Sequence, residues 1–348
     1  MGPSGINNAT VFPATIPGLL RQPLTSPVNY PNRGNMNPVK RGASRARKWL
    51  QENGLPYSDH IELLPCDKEF PGGGHYGINI PVITSLKLLE FTATELRKAG
   101  VEKVQLAQTT GSHLMADSEI KEMLSACAEY GHGIIFGIGT RPEFDVKASF
   151  YRSEFGLEQG RRLNNNDAIA CAVDEALKLA DFGCTNIAVY DLGLLRIFSK
   201  MRSEGALPKD MLFTVSSHCS ISNSATAEVF AENGADMIVP LHDVGLPVLQ
   251  EMRKVLSNKV ALCIPLDMYK AKGGFIRFYE IPDIVQIASP VFLKFGASAQ
   301  AHPYDAVGDN VAKKRIERIV VGLEHLDREG LAVSPLGETS PYWSVPKV

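Results

Sequence analysis

Three stretches decide the fold: Ile187-Ala-Val-Tyr-Asp-Leu-Gly193, Leu212-Phe-Thr-Val-Ser-Ser-His-Cys-Ser220 and Met237-Ile-Val-Pro-Leu-His-Asp243. Each opens as a short apolar strand and closes on polar residues able to do chemistry. Helical spacing follows each one, so consecutive strands should run parallel and their polar ends should collect at one rim. The carboxyl ends of parallel strands are where α/β folds carry their chemistry, and an enzyme is the leading expectation.

Working outward, the same alternation extends over most of the chain. The spacing predicts a helix from Ala43 to Asn53, a first strand at Ile61-Glu-Leu-Leu-Pro65 and a flexible glycine-rich loop over residues 71–77. The loop fits neither GxGxxG nor GxxxxGK, so it is not read as a phosphate cradle. A helix over 84–99, a strand at Val104-Gln-Leu-Ala107, a helix over 117–130, a strand from Gly133 to Ile138 and a long helix over 165–182 come next. After the three opening strands, a seventh is expected at Val260–Pro265 and an eighth at Ile284–Ala288, with a last helix from about Asn310 to Arg328. Eight strands alternating with helices over about 270 residues match a TIM-like (β/α)8 barrel, regular or irregular, placed at residues 37–330. An open doubly wound sheet is the alternative. Residues 1–36, punctuated by Pro13, Pro17, Pro23, Pro27 and Pro31, read as an extended N-terminal arm, and residues 331–348 as a tail. Tyr342 and Trp343 in that tail are candidates either for homo-oligomer contacts or for packing on the chain's own barrel.

With 348 residues and 44% hydrophobic content the chain can bury a sizeable core. A formal net charge of -2 argues against nucleic-acid or membrane partners, and the basic run Lys40–Lys48 reads as the solvated face of a helix. No apolar run reaches the ~18 residues of a membrane span. Six scattered cysteines without a CxxC pair suggest reduced thiols and a cytoplasmic protein.

The strand ends offer Asp67 and Lys68 after the first strand and a richer set farther on. His218, His242, Asp243, Asp191 and Asp267 are the catalytic candidates, while Arg141, Lys294, His113, Ser217 and Asn223 are candidates for holding substrate. Several chemistries stay open. His113, His218, His242 and Asp267 could bind one divalent metal, for which mixed imidazole and carboxylate ligands suit zinc, iron or manganese. A His–Asp pair could move a proton near neutrality. Lys294 could form a Schiff base or, less demandingly, hold an anion with Arg141. Ser217 and Cys219 are candidate nucleophiles. His75, on the glycine-rich loop, either reaches the rim or sits at the surface.

The middle of the chain also resembles a known family. Asp191-Leu-Gly-Leu-Leu, Thr214-Val-Ser-Ser with Ser222-Asn-Ser-Ala, Asn233-Gly-Ala-Asp-Met-Ile-Val-Pro and Leu293-Lys-Phe-Gly resemble elements of the collagenase-like peptidases of unassigned catalytic type. The likeness spans residues 185–300 and implies a barrel-like α/β fold. Family members include peptidases and oxygen-independent hydroxylases with a four-cysteine iron–sulfur site. This chain has only Cys263 between residues 220 and 348, so no iron–sulfur cluster is expected. The family's acidic Arg-Glu motif is replaced by Leu241-His-Asp243. The expectation is a divergent barrel enzyme acting on a small anionic substrate by His/Asp acid–base or metal-assisted hydrolysis or lyase chemistry. A non-catalytic metabolite-binding or scaffold protein on the same barrel is the alternative.

Overall fold

A computed structural model describes residues 43–59, 62–138, 163–303 and 305–348. The expected N-terminal arm and Arg141 lie outside these residues. Eight strands are found: β1 (Tyr76–Pro81), β2 (Gln105–Gln108), β3 (Gly133–Gly137), β4 (Asn186–Val189), β5 (Leu212–Val215), β6 (Met237–Ile238), β7 (Ala261–Pro265) and β8 (Val291–Lys294). They are all parallel and pair in sequence order, with β8 closing on β1. The helices are α1 (Ser44–Glu52), α2 (Leu86–Lys98), α3 (Asp117–Tyr130), α4 (Asn166–Asp181), α5 (Leu192–Glu204), α6 (Ser224–Glu232), α7 (Leu246–Val255), α8 (Ile281–Ala288) and α9 (Asp309–Arg328). The fold is a (β/α)8 barrel, as the alternation predicts. Short polar side chains start several helices: Ser85, Asn165, Asp191 and Asn223 each accept from the backbone N–H three residues on.

Two of the eight expected strands are misplaced. Leu63–Pro65 belongs to no strand; its neighbourhood bonds elsewhere, Leu64 N–H to the Gln250 side chain and Cys66 N–H to the Gln286 carbonyl. The first strand is instead Tyr76–Pro81, directly after the glycine loop. The run Ile284–Ala288 is the end of helix α8, not a strand. Pro282 sits in its first turn, and Ile281, Ile284, Val285 and Ala288 keep helical spacing while being buried on nearly every side. A short run buried all round loses the one-sided periodicity that separates helix from strand.

Period-two alternation along the strands builds two cores. Leu106, Ile134, Phe136, Ile187, Val189, Val215, Leu262 and Leu293 pack with the helices. Ala107, Ile135, Ala188, Met237, Cys263 and Phe292 form a second cluster inside the barrel, joined by Phe70, Leu336, Tyr342 and Trp343. Those four come from segments that cross the amino-terminal mouth of the barrel. Phe70 meets Phe292 edge-on at 5.6 Å and Tyr342 at 5.2 Å, and Trp343 meets Phe292 at 5.9 Å. Tyr342 and Trp343 are therefore spent on the chain's own barrel.

The tail is fixed by polar groups as well. Gln105 Nε2 donates to the Tyr342 carbonyl at 3.1 Å and to Ser344 Oγ at 3.0 Å. Asn186 Nδ2 donates to the same hydroxyl at 2.9 Å, and Thr214 Oγ1 donates to Asn186 Oδ1 at 2.9 Å. The tail backbone runs so close to the strands that a Cβ on Gly133 would lie 1.5 Å from the Trp343 carbonyl oxygen, and one on Gly183 would lie 2.4 Å from that of Lys347. Asp67, Lys68 and His75 belong to this same end. Lys68 Nζ donates to the carbonyls of Arg253 and Leu256 at the end of α7, and His75 Nδ1 accepts from Ser334 N–H at 3.2 Å. They lie away from the carboxyl-end rim, on which the sequence pattern places Asp67 and Lys68.

Two expectations follow. Trp343 is only 3% exposed, so Trp343→Ala should lower unfolding free energy by about 3–5 kcal/mol, read as a shifted urea midpoint with an unchanged slope. His132, at the entry to β3, is held down to about 4 by burial, with Lys103 and Arg97 adding to the effect. The unfolded chain takes up a proton below the ordinary imidazole pKa of ~6.5 that the folded chain refuses until about pH 4, so stability falls with pH across that window. Urea titrations at pH 6.5 and pH 5 should show His132→Phe losing about 1–2 kcal/mol less than wild type. Equal losses in both proteins contradict this assignment.

Candidate active site

The carboxyl ends of the strands surround an open cavity of about 70 Å³. Its lining includes Thr109 after β2, Tyr190 after β4, Ser216, Ser217 and His218 after β5, and His242 after β6. Asp267, Tyr269 and Lys272 after β7 and Lys294 at the end of β8 add to the polar wall. Lys294 alternates with Phe292, so its side chain continues the inward row of β8.

The sequence candidates divide by what their side chains already do. Ser217 is buried, and its hydroxyl lies 3.1 Å from His242 Nε2. His218 meets the Tyr190 ring edge-on, with centroids 6.0 Å apart. His242 is pushed down to about 3, first by burial and then by the charges of Lys272 and Lys294. It is thus a neutral imidazole at physiological pH. The Cys219 thiol is raised to about 12 by burial, which leaves it protonated and a poor nucleophile.

Other candidates are occupied elsewhere. Asp191 and Asn223 cap α5 and α6, accepting from Leu194 N–H and Thr226 N–H at 2.9 Å each. Asp243 is exposed beside His242. Asp267 is 1% exposed and holds the loop after β8: Oδ1 accepts from Gly296 N–H at 2.7 Å and Ala297 N–H at 3.2 Å, and Oδ2 from Ser298 N–H at 3.0 Å and from the Ser298 hydroxyl. Arg318 Nε stands 3.6 Å from the same carboxylate. His113 lies against Glu175 of α4, with Nδ1 3.8 Å from Oε1, and is not part of the pocket wall. The four-residue metal set of His113, His218, His242 and Asp267 is therefore not assembled as one centre. Among the described residues no group of three or more His, Cys, Asp or Glu side chains could hold a metal ion.

Thr109, Tyr190, Tyr269 and Lys272 are site residues to which the sequence pattern assigns no role. Tyr190 is the last residue of its apolar run and faces inward by alternation with Val189, a signal present in the sequence. Lys272 lies five residues beyond Asp267 on a connecting loop, where no periodicity announces direction.

No protein-family model matches the chain, and no curated protein matches it by sequence. Solved structures to which this chain is similar include the YdjI aldolase from Escherichia coli, at 11% identity and a TM-score of 0.41, covering 74% of this chain and 91% of the aldolase. A truncated 3-deoxy-D-arabino-heptulosonate 7-phosphate synthase from Thermotoga maritima aligns at 12% identity and a TM-score of 0.43, over 76% of this chain and 91% of that one. A U32 peptidase aligns at 12% identity and a TM-score of 0.37, covering 60% of this chain and 73% of the peptidase. Among the described residues no helix is long and apolar enough to cross a membrane.

The neutral state of His242 is directly observable. Its ring signals in NMR should stay in the neutral position from pH 8 down to pH 5 in the free protein, and Lys272→Met should move its titration upward. A midpoint near 6.5 in the wild type contradicts the burial assigned here.

Proposed function

We propose that this chain is a barrel enzyme that binds a small anionic carbonyl compound and removes a proton next to the carbonyl to give an enolate, the first step of a lyase-type reaction in which the enolate then expels a group from the neighbouring carbon. The observation that carries the reading is His242: a half-buried, neutral imidazole bonded to Ser217 and flanked electrostatically by Lys272 and Lys294. An anion seated between the two lysines offsets the charges that help hold His242 neutral. Its basicity then rises when substrate arrives, which suits a general base. Lys294, projecting from the inner row of β8, is placed to hold the substrate anion and to stabilise negative charge developing on the carbonyl oxygen. His218 and Tyr190 form the wall on the β4–β5 side of the same cavity.

Hydrolysis by a serine nucleophile is less well supported. Ser217 and His242 form the first pair of a nucleophile–base–orienter series, but among the described residues no carboxylate bonds to His242. Asp267 is engaged with its loop, and Asp243 is exposed. A cytoplasmic setting belongs to the same proposal and is favoured by six unpaired cysteines, three of them fully buried.

The test can begin before the full substrate is identified. Small 2-oxo acids and dihydroxyacetone phosphate are incubated with the protein in deuterated water, and exchange of the carbon-bound proton is followed by NMR. Wild type should accelerate exchange of at least one of them, His242→Gln should slow that exchange by about 10²–10⁴-fold, and Lys294→Met should weaken binding. Binding of an anion through Lys294 with no exchange would overturn the enzyme reading in favour of a metabolite-binding protein on the same barrel.

A further inference from the structure

Beneath the rim the pocket continues into a smaller cavity of about 30 Å³ inside the barrel, with Thr109, Tyr190, Ser216 and Lys294 common to both. Much of its wall is apolar. Asn79, from β1, is an exception, and it is 2% exposed. It stands beside Lys294 in the β1–β8 ladder, and both belong to the inward row.

The Asn79 amide is oriented by a chain of hydrogen bonds that starts at the other end of the barrel. The Tyr342 carbonyl can only accept, so the end of Gln105 facing it, at 3.1 Å, must be the NH2 group. Gln105 Oε1 therefore turns toward Asn79, and only the Asn79 NH2 can answer it, at 3.0 Å. Asn79 Oδ1 is left as an acceptor by necessity, and among the described residues no group donates to it. Buried acceptors are nearly always satisfied, and an orphan in the wall of a cavity calls for a donor. The neighbouring Thr214 hydroxyl already donates to Asn186.

We propose that Asn79 is a specificity residue that accepts a hydrogen bond from a hydroxyl of the substrate, one that reaches into the barrel while the anionic group stays with Lys272 and Lys294. This rests on the reading of the rim as an anion site and narrows its ligand to a short hydroxylated carbonyl compound bearing a carboxylate or phosphate, whose anionic and hydroxyl ends simpler probes can mimic. The cavity admits a group of about one or two heavy atoms, the size of a hydroxymethyl. A methyl in its place leaves Asn79 Oδ1 unpaired, and sites built around a buried polar group discriminate against analogues that lack its partner.

Matched probes test this on the whole protein by calorimetry: 3-hydroxypropionate against butyrate, and 2-hydroxyethyl phosphate against propyl phosphate. The hydroxylated member of at least one pair should bind about tenfold more tightly or better. Asn79→Leu should erase that ratio while binding still depends on Lys294. Because Asn79→Leu also strands Gln105 Oε1 and can disturb folding, Ala188→Val serves as a second variant. It narrows the cavity while leaving the Asn79–Gln105 hydrogen-bonding groups in place, and should weaken the longer probes relative to acetate or methyl phosphate. If no probe binds in a Lys294-dependent way, the anion reading fails and this inference with it. If the probes bind through Lys294 but hydroxyl and methyl partners bind alike, the rim reading stands and the role given to Asn79 is overturned.

Discussion

The hydroxyl of Ser344 holds the base of this barrel together. It receives one N–H from Gln105 of β2 and one from Asn186 of β4, and donates to the Tyr342 carbonyl, so every hydrogen-bonding position it has is filled. A polar group this deeply buried is stabilising only when fully answered, and here the answering groups come from strands far apart in sequence. Around it Phe70, Leu336, Tyr342 and Trp343 complete the apolar filling of the barrel's lower half. The inward strand positions are small at Ala107, Ala188 and Ala261, and would leave the interior underfilled without the side chains that enter from below.

Closing one end this way lets the other end be polar and open. The small residues above the plug leave a cavity beneath Lys294, and the rim above it gathers two lysines, two imidazoles and two phenols. The charges of Lys272 and Lys294 add to burial in holding His242 uncharged. Asp267 also lines the pocket, and its oxygens are engaged as the anchor of the loop that follows the lysine strand.

Much of this is legible in the sequence. The three central strands end in their polar clusters where expected, because each carries a clean apolar run with helical spacing after it. His242, Ser217 and His218 are marked by their position at such ends, and they line one pocket with Lys294, which ends a strand that the sequence pattern places at Ile284–Ala288 instead. The failures have physical causes. Ile284–Ala288 is a helix buried nearly all round, so periodicity does not separate it from a strand. Tyr76–Pro81 is hidden because the glycines before it suggest a loop and its inward positions, Gly77 and Asn79, are not apolar. Asp191 and Asn223 stand at strand ends yet serve helix starts, since an oxygen one residue before a helix has waiting N–H groups. Hydrogen-bond capacity, which position alone does not reveal, separates Asp267 from its neighbours at the rim.

The path of the tail also writes a constraint into distant parts of the sequence. Gly133 opens β3 and Gly183 precedes β4, and each lies flush against the backbone of residues 343–347, leaving no space for even one methyl group. Three segments that share no local signal are thereby tied to one another in evolution. A lineage that discarded the tail would be free to fill both glycine positions, and one that kept it would find them closed to change.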